Sequence, residues 1–190
     1  MTRVIIPLAL ALLGSGCFAG SVHPILAPGD RLDMDAAVGQ WRSNGEKSEV
    51  SLKVVPRSDK VYAVTLTEGA EKTPVHFLCS AGKIGNAVWL DAQVDRDDPG
   101  FGAYRDWVYR PHLASRIALE GDTLKVWLVQ GKWFEEQRKK GKVKIPFVPS
   151  AEENGLLLFT APTAALQKAI KGFEKDDAAF GDPSVFTRVK

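Results

Sequence analysis

From residue 38 to residue 130 the chain alternates apolar and polar side chains with a period of two, and short turn clusters separate each segment from the next. In Asn86–Val94 the residues Val88, Leu90, Ala92 and Val94 share one face, while Trp89, Asp91 and Gln93 share the other. This is the pattern of a strand with one packed and one wetter side. Val38–Arg42, Glu49–Val55, Val61–Thr67, Pro74–Ser80, His112–Glu120 and Thr123–Gln130 read the same way, and Gly155–Thr160 adds a last, more continuously apolar strand. Turns such as Pro56-Arg57-Ser58-Asp59 and Gly121-Asp122 leave no room for parallel crossovers. One antiparallel sheet rolled around a shared interior buries all these faces at once. The predicted fold is therefore mainly β, an up-and-down barrel of about eight strands.

Two segments switch to a helical period. Lys132–Lys140 has good helix formers, a Trp133-Phe134 pair to dock it, and Gly141 as a stop. Pro162–Phe173 repeats Leu166, Ala169, Ile170 and Phe173 on one face and is expected to pack on the outside of the barrel. Lys175–Lys190 reads as a charged loop in which Ser184–Arg188 adds an edge strand.

The strand rhythm breaks at Asp95–Pro111. Four aromatics, Phe101, Tyr104, Trp107 and Tyr109, fall within nine residues there, interleaved with Arg105, Asp106 and Arg110. Long connections in compact domains are functional or disordered, and aromatic density argues against disorder. The stretch is expected to lie as a lid across one mouth of the barrel. With Asp91, a charge in an otherwise apolar strand, these aromatics are the candidate ligand-binding residues. Asp91 has two readings: a carboxylate held by local donors, or one that meets a polar head group.

Charge and composition narrow the function classes. Lys and Arg number 25 against 23 Asp and Glu, a balance that argues against a nucleic-acid partner. Apolar residues at 45% and charged residues at 25% suit a globular domain. Met1–Gly16 has the layout of an export signal, with Arg3 ahead of the apolar run Val4–Leu13 and then small residues. Gly14-Ser15-Gly16-Cys17 resembles the lipobox of bacterial lipoproteins, with the leucine one place early at Leu13. That resemblance implies cleavage before Cys17, acylation of Cys17, and a protein tethered to the bacterial envelope, facing the periplasm from the outer membrane. The expected organisation is a leader over 1–16, a lipidated flexible tether over 17–35, and a barrel domain over 36–190. Cys79, in the run Val75–Cys79, is expected to be buried as a small hydrophobe.

No pattern here requires catalysis. Asp95-Arg96-Asp97-Asp98-Pro99-Gly100 with Asp106 echoes a calcium loop, but the proline and the final aspartate spoil it. His23, His76 and His112 have no ligand spacing, and there is no nucleophile elbow or phosphate loop. No metal, cofactor or catalytic residue is therefore assigned. Arg138, Lys139, Lys140, Lys142 and Lys144 form a basic run, either a solvated helix end or a contact for anionic head groups.

Two resemblances add to this reading. Gly39-Gln40-Trp41 resembles the first-strand signature of lipocalins and calycins, whose tryptophan plugs the closed end of the barrel. Gly39–Arg42, Val61–Val64, His112–Arg116, Gly121–Leu124, Leu158–Thr163 with Leu166-Gln167, and Asp176–Phe180 together resemble a set of uncharacterised bacterial proteins, many of them read as lipoproteins. The resemblance implies a lipocalin-like fold and an envelope location, and no activity. The expected function is non-enzymatic binding of a small apolar or amphipathic ligand. The alternative is an envelope interaction protein that docks a partner protein through 95–111.

Overall fold

The computed structural model describes residues 19–44, 49–69, 73–104, 106, 109–148 and 157–190. The fold is mainly β, built on a closed antiparallel barrel. Its eight staves are β3 (Gly39–Asn44), β4 (Glu49–Ser58), β5 (Val61–Glu68), β6 (Val75–Ile84), β7 (Ala87–Val94), β8 (His112–Glu120), β9 (Thr123–Leu128) and β12 (Ser184–Arg188). β12 pairs with β9 on one side and with β3 on the other, which closes the ring. Outside the ring lie β1 (Ala19–Ser21), β2 (Arg31–Leu32), β10 (Phe147–Val148), β11 (Leu157–Phe159) and the helices α1 (Gly131–Lys139) and α2 (Thr163–Phe173).

Two expectations about the staves are corrected. The strand near Gly155–Thr160 is not in the ring: Leu157–Phe159 pairs in parallel with β1 and antiparallel with β10. Its unbroken apolar run fits a segment covered on both faces. Ser184–Arg188, read as an edge strand, is the stave that closes the barrel. Closure removes the exposed edges that β3 and β9 would otherwise present.

Directly opposed residues share a face, so the register sorts inside from outside. Trp41, Leu52, Val54, Tyr62, Leu124 and Phe186 come from five staves and pack into one cluster, which places them inside the ring. The other face of β6 and β7 carries Ile84 and Trp89, which pack with Phe134, Leu166, Ile170, Phe173 and Phe180 in a second cluster outside the ring. The supposedly wet face of the central strand β7 is therefore a core: Trp89 is 0% exposed. Phe173 is the hub of that core. Its ring centroid lies 4.9 Å from Phe134, 5.4 Å from Trp133, 6.1 Å from Trp89 and 6.0 Å from Phe180.

The segment expected to be a flexible tether is, from Ala19 onward, held in this packing. β1 bonds to β8 and β11, Ile25 and Leu26 are buried, and β2 pairs with β6. Gly82 permits that approach, since a Cβ there would lie 2.6 Å from Leu26 and 2.7 Å from the Asp30 carbonyl. α2 begins one residue later than expected. Pro162 is its N-cap, and its carbonyl accepts from Ala165 and Leu166. Cys17 and the leader lie outside the described residues.

Candidate functional site

Strand direction gives the barrel a closed and an open end. The segment 33–38 crosses the closed end as a single 3-10 turn, Asp35–Ala37. Tyr62 donates its hydroxyl toward the carboxylates of Asp33 (3.1 Å) and Asp35 (3.0 Å) and accepts from Met34 N–H at 2.8 Å. Trp41, 0% exposed, donates its indole N–H to the Ala37 carbonyl at 2.8 Å. Arg188 lies over that indole at 4.2 Å, donates to the carbonyls of Val38 and Ala36, and pairs with Asp122 at 3.2 Å. This end is sealed.

The open end differs. Toward the mouth the inward-facing Leu66, Phe77, Ala92, Val94, Leu113 and Leu128 are apolar and only half-buried, whereas Val50 and the opposed Glu68 are buried, 3% and 6% exposed. Side chains in a filled barrel would be as buried as Trp41 or Val54. Apolar surface facing inward and still accessible is what a ligand-holding barrel requires.

The described part of the connection from β7 to β8 is fastened to the rim of this mouth by one carboxylate. Asp98, 8% exposed, accepts from His76 N–H and Gly100 N–H, each at 2.7 Å. Asp95 N–H donates to the His76 carbonyl at 2.7 Å, and Arg96 pairs with Asp106. The loop is thereby pinned to the start of β6. Sequence reasoning treats Asp98 as a member of a solvated acidic turn; Asp-x-Gly, a residue whose side chain bonds the backbone two places on, is the available signal.

The candidate residues are not all brought together. Phe101 is half-buried in the 3-10 stretch Pro99–Tyr104. The Tyr104 side chain and Trp107 lie outside the described residues. Tyr109 points away from the interior: it is 51% exposed and donates to the Ser21 carbonyl at 3.1 Å.

Asp91 is on the outer face and does not reach the barrel interior. It accepts from Ile25 N–H at 2.8 Å and from His112 Nδ1 at 2.7 Å. Gln93 Nε2 then lies 3.3 Å from His112 Nε2 and donates to the Arg110 carbonyl at 2.7 Å. With Nδ1 protonated, His112 donates to Asp91 and accepts from Gln93, so the row Asp91–His112–Gln93 is satisfied. Asp91 fastens the N-terminal segment to the barrel, the first of its two readings.

Cys79 faces inward, 2% exposed, and burial first, with Asp91 second, raises its thiol pKa far above the ordinary value. A thiol so held is a poor nucleophile. Among the described residues no group of three or more His, Cys, Asp or Glu could hold a metal ion. Comparison with protein-family models, with curated proteins and with solved structures finds no match to this chain. The site therefore rests on its own geometry.

Proposed function

We propose that this protein is a non-enzymatic, lipid-anchored envelope protein that holds a small apolar or amphipathic ligand in the open half of its barrel. The observation that carries this reading is the half-buried apolar lining beneath the mouth, at Leu66, Phe77, Val94 and Leu113. The sealed opposite end gives such a ligand one way in and out. Acylation of Cys17, supported by the lipobox-like residues before it, supplies the envelope location.

The test is uptake of N-phenyl-1-naphthylamine by the full chain, together with mass spectrometry of lipid extracted from protein purified from its host membranes. Saturable uptake is expected, and Ala92→Trp, which fills the inward space, should abolish it while the far-UV spectrum is kept. No saturable uptake and no co-purified lipid overturns the reading. The exposed Tyr109 favours a second reading, in which residues 95–111 dock an envelope protein; crosslinking at Tyr109 that captures one stoichiometric partner separates the two.

A further inference from the structure

The basic run Arg138–Lys144 has a place in the fold that its sequence did not reveal. Arg138, Lys139, Lys140, Lys142 and Lys144 are all exposed, and no ion pair neutralises them among the described residues. Phe147 stands opposite Phe159, Phe159 beside Ser21, and Ser21 opposite His112, so these four form one row across β10, β11, β1 and β8. His112 is the first residue of β8, at the open end of the barrel. Thr160 N–H still bonds the Pro146 carbonyl at 3.0 Å, so the chain preceding Phe147 continues past that row and carries Lys144 and Lys142 to the rim. Arg138 lies 5.1 Å from the Phe147 ring centroid, on the same edge.

One other feature shares this edge. Tyr109, 51% exposed and bonded to Ser21, presents an amphipathic ring at the rim. Clustered cations beside an exposed aromatic are the features that hold a protein surface against anionic head groups.

We propose that this rim, formed by Arg138–Lys144 and Tyr109, is the face the protein applies to an anionic phospholipid bilayer, with the open mouth turned toward the membrane. The contact does not depend on what the barrel holds. Each cation near such a surface contributes about fivefold in binding at low salt, so four act together over at least about a hundredfold.

The test uses the full chain with Cys17→Ser, so that no acyl group masks the contact, in sedimentation with phosphatidylcholine vesicles with and without phosphatidylglycerol. Neutralising the rim with Lys139→Gln, Lys140→Gln, Lys142→Gln and Lys144→Gln should lower partitioning onto anionic vesicles at least about a hundredfold. Neutralising exposed cations away from this rim with Lys53→Gln, Arg57→Gln, Lys60→Gln and Lys83→Gln should leave it within about threefold, and about 0.5 M salt should abolish it. The eight substituted lysines and arginine are all exposed, and an unchanged near-UV spectrum confirms folding. Equal binding by the two variants, or binding that is indifferent to salt or to anionic lipid, overturns the proposal.

Discussion

Replacing Asp91 tests how the N-terminal segment is held. Asp91 is 7% exposed and accepts two hydrogen bonds, from Ile25 N–H at 2.8 Å and His112 Nδ1 at 2.7 Å. In Asp91→Ala the Ile25 amide is left buried without an acceptor, a cost of about 2–3 kcal/mol when the lost partner is charged. The His112 side chain keeps 19% of its surface exposed and can turn to water, so its loss adds about 1 kcal/mol. Asp91→Ala should therefore cost about 3–4 kcal/mol, a fall in Tm of about 8–12 °C for a chain of this length. Asp91→Asn separates the bonds from the charge. Its oxygen still accepts from Ile25 and its amide donates to His112 in the other tautomer, so the loss should be about 1–2 kcal/mol. Calorimetry supplies the totals, and hydrogen exchange at the Ile25 amide tells whether the lost stability is local. An alanine variant that loses under about 1 kcal/mol, or an asparagine variant as unstable as the alanine one, refutes the reasoning.

Other perturbations probe other joints. Gly85 has φ +64 and a Cβ there would run into the Glu174 carboxylate, which accepts from Asn86 N–H at 3.0 Å; Gly85→Ala should displace Glu174 from Asn86 and cost about 2–3 kcal/mol in urea titration. Arg188→Ala removes the cation over Trp41 and two bonds to the closing turn, and should lower the stability measured in urea by about 2–3 kcal/mol without changing m, with Arg188→Lys recovering less than half. Burial first, and then the carboxylates of Asp35 and Asp33, raise the Tyr62 pKa against the opposing Met34 N–H. Its stability contribution is whole below the ordinary value of 10.0 and is lost as pH rises through the raised one, because the unfolded chain ionises first; Tyr62→Phe should flatten the alkaline fall in Tm. In a Cys17→Ser chain Cys79 should react with a thiol reagent only at the rate of global unfolding, and rapid reaction of the native protein contradicts its burial.

The staves were legible because a period of two is set by local stereochemistry. A β-strand shows the same alternation wherever it sits, so Glu49–Val55 and Thr123–Gln130 could be placed within a few residues. Order in the ring is less local. After β9 the chain leaves to form α1, β10, β11 and α2 before returning. Ser184–Arg188 therefore joins partners far from it in sequence, Trp41 opposite Arg188 and Leu124 opposite Phe186. Nothing in a five-residue strand with one buried phenylalanine distinguishes a closing stave from an edge.

The outer face of β7 went unread for a different reason. Hydropathy reports the chemistry of a side chain and not what covers it. Trp89, Asp91 and Arg116 look like residues that meet water, yet each is satisfied or enclosed by a distant segment. Asp91 holds Ile25, 66 residues away, and Arg116 lies 4.1 Å over Phe180 and donates to the Glu174 carbonyl. The Asp91–His112 contact was hidden further by register, because the two are not directly opposed: Asp91 faces Ala114 and His112 faces Gln93. A tight hairpin fixes register through its turn, whereas the long connection 95–111 leaves it to packing. The polar residues that fasten the N-terminal segment and the chain's return therefore become visible only once the sheet has closed, and the same closure leaves half-buried apolar residues such as Leu66 and Phe77 beneath the open mouth.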